Sequence, residues 1–304
     1  FCNLRYLCGG NKADFLESLA HGPGKFPIHE GKNFIHHLHH GQPEAVEVRH
    51  LETRSGREQR RDDPGARDDP GLGHAAELEV VVDASVDLQP GEVETANLMA
   101  LLPGSDPELK DEYVVIGAHH DHLGMGGPGS SSRKPDTIAV HHGADDNASG
   151  VAGVLELGGY LAEAKPSRSV LFITFGAEEL GLLGSRYLAD HAPVDLAGVQ
   201  AMINLDMLGR LNEERQLQIG GVGTSPGFKS LLDSINLNYG FNIKYGNEGY
   251  GPSDHASFYA KDVPVLFIST GAHADYHTPE DNFEAIRWEG LQEVLQFTAE
   301  VAEA

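Results

Sequence analysis

Residues 113–122 have the sequence Tyr-Val-Val-Ile-Gly-Ala-His-His-Asp-His, an apolar run that ends in three histidines and an aspartate. Short, continuous apolar runs are typical of strands buried inside a sheet. Three further runs, at residues 170–175, 202–205 and 263–269, are also followed by acidic residues or histidines. Because the carboxyl ends of parallel strands meet at one edge of a sheet, we expect these polar side chains to form a single site.

Segments with helical periodicity lie between or after these runs, at residues 147–164, 182–191, 226–237 and 289–303. Strands that alternate with helices predict an α/β fold. We expect a mixed, mostly parallel sheet with helices on both faces.

The first quarter of the chain differs from the rest. Residues 1–75 have no sustained period, and residues 54–73 consist mainly of Arg, Asp, Gly, Glu and Pro. Such a composition buries little apolar surface, so we predict a disordered or loosely attached segment at 1–75 and a folded domain at 76–304. Within that domain, residues 78–86 and 95–102 flank a Pro-Gly pair and predict a β-hairpin.

The composition argues against two kinds of partner. The 304 residues carry a net charge of −24, which disfavours binding to nucleic acid or to an anionic membrane. No apolar run approaches the roughly 20 residues that cross a bilayer. The chain begins with Phe1 and shows no signal peptide, so we expect its natural amino terminus to lie upstream.

Histidines that follow the first strand are the first candidate metal ligands. His119, His120 and His122 all stand at its end. Asp121 lies two residues beyond His119, where a carboxylate can hold the imidazole in the tautomer that a metal requires. The residues alone leave His120 and His122 as alternatives to His119.

Two adjacent aspartates open the next helix, in the sequence Gly-Ala-Asp-Asp-Asn-Ala-Ser-Gly at residues 143–150. Asp145, Asp146 and their polar neighbours can cap exposed amides of the helix. Two aspartates exceed what capping needs, and an aspartate that bridges two cations explains the excess. The spacing leaves open which of the two has this role.

Glu178 and Glu179 follow the second strand. Adjacent carboxylates at a strand end point in different directions, so one can bind a metal while the other takes a proton from water. Asp206 is a charge inside an apolar segment, and such charges are nearly always paired or bound to metal.

A histidine-rich segment follows the last strand. His273 and His277 are competing ligands, and Tyr276 can donate a hydrogen bond to an oxyanion. Histidines and several carboxylates without a nearby Lys or Arg need cations to be stable together. The sequence therefore predicts a two-metal hydrolase site.

Five ordered motifs resemble the di-zinc aminopeptidases of metallopeptidase family twenty-eight. They are Gly-Ala-His-x-Asp, Gly-Ala-Asp-Asp-Asn-Ala-Ser-Gly, Ala-Glu-Glu-x-Gly-Leu-Leu-Gly-Ser, Asn-Leu-Asp-Met-Leu-Gly and Asp-Tyr-His-Thr-Pro-x-Asp. The resemblance implies Glu178 as general base, Tyr276 as oxyanion donor and Asp121 as the partner of His119. It implies five ligands of two Zn²⁺ ions, with Asp146 as the bridge: His119, Asp146, Glu179, Asp206 and His277.

The same resemblance implies a fold and an activity. The fold is a three-layer α/β/α sandwich of the zinc-exopeptidase kind, with residues 76–304 as catalytic domain. The activity is hydrolysis of amino-terminal residues from peptides with a free amino terminus, by a periplasmic or secreted protein. A carboxypeptidase and a single-zinc glutaminyl cyclase on the same scaffold are rivals, and a catalytically inactive binding ectodomain is a rival from another class.

Overall fold

The computed structural model describes residues 36–43, 47–54, 79–85 and 88–304 of the chain. This part contains two compact units, one formed by residues 37–93 and the other containing residues 94–304. Every predicted site residue lies in the second, larger unit. Among the described helices, none is long and apolar enough to cross a membrane.

The smaller unit is built from four strands in two separate two-stranded sheets. Strand β1 (His36–Pro43) neighbours β4 (Leu88–Thr95), and β2 (Glu47–Arg54) pairs antiparallel with β3 (Glu79–Ser85). The rest of the predicted segment 1–75 lies outside the described residues. Its separation from the catalytic domain therefore stays a prediction.

The predicted hairpin in this region is wrong. Strand β5 (Leu98–Leu102) pairs antiparallel with β7 (Ser169–Phe175), whereas β3 pairs with β2. The Pro90-Gly91 pair, a common turn sequence, lies inside β4. The backbone N–H and C=O groups of residues 98–102 form hydrogen bonds with the edge of the large sheet. The preference of Pro-Gly for a turn is too weak to prevent this pairing.

A seven-stranded mixed sheet forms the centre of the larger unit. Besides β5 and β7, its strands are β6 (Tyr113–His119), β8 (Val199–Leu205), β9 (Gln216–Gly220), β10 (Asn242–Tyr245) and β11 (Val265–Ser269). Their order in the sheet is β10-β9-β11-β8-β6-β7-β5. Strands β11, β8, β6 and β7 are parallel, whereas β5 and β9 are antiparallel to their neighbours β7 and β11. The prediction of a mixed, mostly parallel sheet is confirmed.

Helices cover both faces of the sheet, which confirms the predicted three layers. The helices are α1 (Gly150–Ala164), α2 (Leu183–Asp190), α3 (Phe228–Asn236), α4 (His255–Tyr259) and α5 (Trp288–Glu303). Alternate residues of β6 face opposite sides: Val114 and Ile116 pack with α1, α3 and α5, and Val115 packs with α2 and α4. Each face thus has its own apolar core.

The four parallel strands end at the same edge of the sheet. His119 and Phe175, the last residues of β6 and β7, lie opposite each other, as do Leu205 of β8 and Ile268 of β11. The segments that follow these strands therefore start side by side, as the strand-end argument predicts. Strand β9 runs in the other direction, so its carboxyl end lies at the opposite edge.

We expect a chain that begins at residue 94 to fold and to bind zinc like the full chain. Residues 94–304 contain the whole seven-stranded sheet, both apolar cores and every predicted ligand. Circular dichroism during thermal unfolding and metal analysis of the purified protein test this expectation. Loss of soluble, folded protein would show that residues 1–93 are integral to the larger unit.

Candidate metal centre

Asp146 lies at the centre of the site, in a π-helical turn (Ala144–Ser149) that precedes α1. The turn starts from Gly143, whose φ of 58° is in the left-handed region. A Cβ atom on Gly143 would lie 2.4 Å from the carbonyl oxygen of Asp146, so only glycine fits there. Asp146 has non-helical torsion angles and a buried side chain.

The two carboxylate oxygens of Asp146 face two different histidines. Its Oδ1 lies 3.3 Å from His119 Nε2, and its Oδ2 lies 3.1 Å from His277 Nε2. Asp206 Oδ1 is 3.7 Å from the same nitrogen of His119, and Glu179 Oε2 is 3.3 Å from that of His277. The structure therefore brings the five predicted ligands together as two sets, each with one histidine, that share Asp146.

Asp121 fixes the backbone of both adjacent glutamates. Its Oδ1 accepts the N–H of Glu178 at 2.9 Å, and its Oδ2 accepts the N–H of Glu179 at 3.1 Å. His119 Nδ1 lies 3.1 Å from the Asp121 carbonyl oxygen and 3.9 Å from the carboxylate. Asp121 therefore orients His119 chiefly through its main chain, while its carboxylate holds the Glu178-Glu179 turn.

The donor set fits zinc. Histidine nitrogens and carboxylate oxygens are ordinary zinc ligands. Within residues 94–304, every ion pair made by the five side chains joins a histidine to a carboxylate, and none involves Lys or Arg. Buried carboxylates that have no Lys or Arg partner are stable when metal cations lie among them.

The carboxylates of the site raise the pKa values of its two predicted histidine ligands. Burial lowers the pKa of His119, but the carboxylates of Asp146 and Asp206 outweigh burial and hold that pKa well above its ordinary value. Burial likewise lowers the pKa of His277, while Asp146 and Glu179 raise it to about 10. A positive charge at these ring nitrogens is thus favoured, and a metal ion supplies the same charge.

Glu178 lies beside the set that contains His119. Ligand-capable atoms of His119, Glu178 and Asp206 lie within 4.8 Å of one another. Burial raises the pKa of Glu178 to about 9, and the carboxylates of Asp254 and Asp206 add to this against the opposing charge of His119. A buried carboxyl group in this position is suited to proton transfer.

Tyr276 stacks on the ring of His277, with 3.9 Å between the ring centroids. Burial, together with the carboxylates of Asp146 and Glu179, raises the pKa of its phenol. The hydroxyl group therefore stays protonated near neutral pH, as an oxyanion donor must be.

Comparison with known proteins agrees with this geometry. The model of the peptidase family M28 matches residues 97–302, which include all the residues of the site. The chain belongs to peptidase family M28. The match confirms the resemblance that the five sequence motifs indicate, and it extends over most of the larger unit.

Two of the proteins that this M28 chain resembles are an aminopeptidase and a leupeptin-inactivating enzyme. Aminopeptidase YwaD of Bacillus subtilis is 32% identical over 188 residues, which are 56% of this chain and 39% of that protein. Leupeptin-inactivating enzyme 1 of Streptomyces exfoliatus is 30% identical over 197 residues, covering 64% and 39% of the two chains. This chain thus matches well under half of the length of each.

Solved structures of similar proteins share the fold. An aminopeptidase from Aneurinibacillus sp. strain AM-1 matches with a TM-score of 0.59 and 28% identity, over 73% of this chain and 51% of that chain. A zinc aminopeptidase from Bacillus subtilis matches with a TM-score of 0.58 and 28% identity, over 72% and 53%.

The sequence spacing of this M28 chain leaves His120, Asp145 and His273 as alternative ligands, and the structure gives the position of each. His120 is exposed. Asp145 is fully buried, and its Oδ1 accepts the N–H of Gly209 and the hydroxyl of Ser149, at 2.6 Å and 3.0 Å. His273 Nε2 lies 3.2 Å from Asp145 Oδ2 and 4.0 Å from Asp281 Oδ1. Within residues 94–304, the ion pairs of His273 therefore involve none of the five predicted ligands.

Two further residues, His122 and Asp254, belong to the site. His122 is one of the alternatives to His119 that the sequence leaves open. His122 Nδ1 lies 2.8 Å from Glu179 Oε1, whereas His277 faces Oε2, so a hydrogen bond donated by His122 can hold this ligand through its other oxygen. Asp254 is fully buried, and burial raises its pKa to about 7. The Ser-Asp-His sequence at residues 253–255 is a signal for Asp254, but a polar turn has the same composition.

Proposed function

We propose that this chain is a zinc-dependent aminopeptidase that removes amino-terminal residues from peptides. The observation that carries the proposal is the position of Asp146 between His119 and His277, with one carboxylate oxygen toward each. A carboxylate shared in this way would contribute a ligand atom to each ion of a two-metal site. The names of the Bacillus and Aneurinibacillus relatives support the choice of aminopeptidase.

Zinc ions held by these five residues would polarise the scissile carbonyl group and activate water for attack. Glu178 takes a proton from the attacking water and passes it to the leaving amine. Its burial makes the ionised form a strong proton acceptor, and the turn held by Asp121 keeps it beside His119 and Asp206. The Tyr276 hydroxyl donates to the oxygen on which negative charge develops.

The expected result is hydrolysis of aminoacyl chromogenic amides, abolished by a chelator and restored by zinc. The same amides with an acetylated amino group serve as matched controls, and we expect them to resist cleavage. Metal analysis of the purified protein, with two zinc ions expected, accompanies the assay.

Other outcomes identify the rivals. Release of carboxyl-terminal residues from blocked peptides would show a carboxypeptidase. Cyclisation of amino-terminal glutamine with one bound zinc would show a cyclase. Zinc binding without turnover of any substrate in the panel would show a binding domain and overturn the proposed activity.

A further inference from the structure

Asp281 lies four residues after the ligand His277 and is fully buried. Its Oδ2 accepts the backbone N–H groups of Asp145 and Asp146, at 2.9 Å and 3.0 Å. Its own carbonyl oxygen accepts the N–H of Ala144 at 3.1 Å. One residue thus binds three consecutive amides of the turn that carries the shared carboxylate.

The charge of Asp281 is balanced on its other side. Arg210 Nη2 lies 3.1 Å from Asp281 Oδ1 and 3.2 Å from Asp275 Oδ2. Arg210 is largely buried, and its backbone N–H donates to Thr270 Oγ1. A buried carboxylate with a cation on one oxygen and two amides on the other has most of its hydrogen-bonding capacity satisfied, so it is held in one orientation.

This arrangement couples two ligands that are far apart in sequence. The segment that supplies His277 also supplies the anchor of the Asp146 backbone. The 3.1 Å separation of His277 Nε2 from Asp146 Oδ2 therefore depends on a short stretch of chain that Asp281 ties to the turn. A shift of that turn would move both oxygens of Asp146, and with them both ligand sets.

We propose that Asp281, charge-balanced by Arg210, is the positioning residue of Asp146 and sets the zinc affinity of both metal positions together. Asp281 touches neither set of ligand atoms and acts through the main chain of residues 145 and 146. The inference rests on the proposed zinc site and adds a residue on which both positions depend.

Asp281→Asn is the informative variant. An asparagine side chain has one acceptor oxygen and one NH₂ group, so a donor must face either Arg210 or the two backbone amides. Asp275→Asn is the matched control, since Asp275 pairs with the same Arg210 but is 36% exposed. Both variants remove one negative charge and keep the size of the side chain.

The test is competition between the protein and a chromogenic chelator for zinc, with the absorption spectrum of the cobalt-substituted protein as a second readout. We expect Asp281→Asn to lose zinc affinity about 10- to 100-fold at both positions and to change the cobalt spectrum. We expect Asp275→Asn to resemble the unchanged protein. Circular dichroism of the metal-free proteins separates loss of affinity from loss of fold.

Equal zinc affinity and an unchanged cobalt spectrum in folded Asp281→Asn would overturn the proposal. If this variant does not fold, Arg210→Lys decides, because it keeps the charge but changes the geometry that orients Asp281. Weaker zinc binding than in Asp275→Asn supports the proposal, and equal binding overturns it. Failure of the unchanged protein to bind two zinc ions would instead contradict the proposed function.

Discussion

Asp146→Ala is expected to lower the bound zinc from two ions toward none. The two oxygens of Asp146 face His119 and His277 separately, so this single truncation removes a ligand atom from each set. Each set would keep one histidine and one other carboxylate, too few for tight zinc binding. Metal analysis after dialysis against metal-free buffer measures the effect.

His119→Ala is the control for this experiment. His119 belongs to one set only, together with Asp206, so we expect this variant to empty one position and to keep the zinc held by His277 and Glu179. Two zinc ions bound to folded Asp146→Ala would remove Asp146 from the bridge. Equal zinc loss in the two variants would show that the positions fill only together.

Glu178→Gln is expected to keep both zinc ions and to lower turnover by roughly two to four powers of ten, the usual size of a general-base contribution. Glutamine has the shape of glutamate but cannot take a proton from water. The backbone N–H of Glu178 bonds to Asp121 Oδ1 and is untouched by the change, so the turn should persist. Steady-state turnover of an aminoacyl amide and metal analysis are measured on the same sample.

Glu179→Gln is the matched partner, because the neighbouring N–H bonds to the other oxygen of Asp121. Its side chain contacts His277 and His122, so the same substitution weakens a metal ligand. We expect zinc loss and partial recovery of activity with excess zinc. Metal loss in Glu178→Gln with metal retention in Glu179→Gln would show that Glu178 is the ligand and Glu179 the base. If neither variant had any effect, the two-metal hydrolase hypothesis would be wrong.

The location of the site could be predicted because the sequence pattern identifies the buried parallel strands. Buried parallel strands are continuously apolar, and their carboxyl ends coincide. His119, at the end of β6, and Asp206, directly after β8, therefore had to lie near each other, and the structure places them 3.7 Å apart.

The choice between adjacent residues could not be predicted in this way. Asp145 and Asp146 differ by one position, and the non-helical torsion angles of Asp146 within the π-helical turn direct one side chain to Gly209 and the other to His119. The anchor of that turn is Asp281, which is 135 positions away from Asp146. Local patterns contain no information on such a distant partner, and the family resemblance resolved the choice.

The errors in the predicted fold also arise from contacts between distant residues or from elements too short to show a period. The hairpin prediction relied on a turn sequence, whereas β5 is held by its pairing with the distant β7. The short elements β10 and α4 were missed because four or five residues show no clear period. The reversed direction of β9 explains why this strand, unlike its neighbour β11, is followed by no ligand.

Strand β11 is the last strand of the chain, yet it lies inside the sheet, between β8 and β9. On the ribosome, β9 and β10 emerge before the strand that joins them to the rest of the sheet, and His277 follows later still. A copy that stops before residue 265 therefore lacks both the strand that joins β9 and β10 to the rest of the sheet and the second histidine ligand. Completion of the sheet and assembly of the metal centre both wait for the same short segment, residues 265–277, to be made.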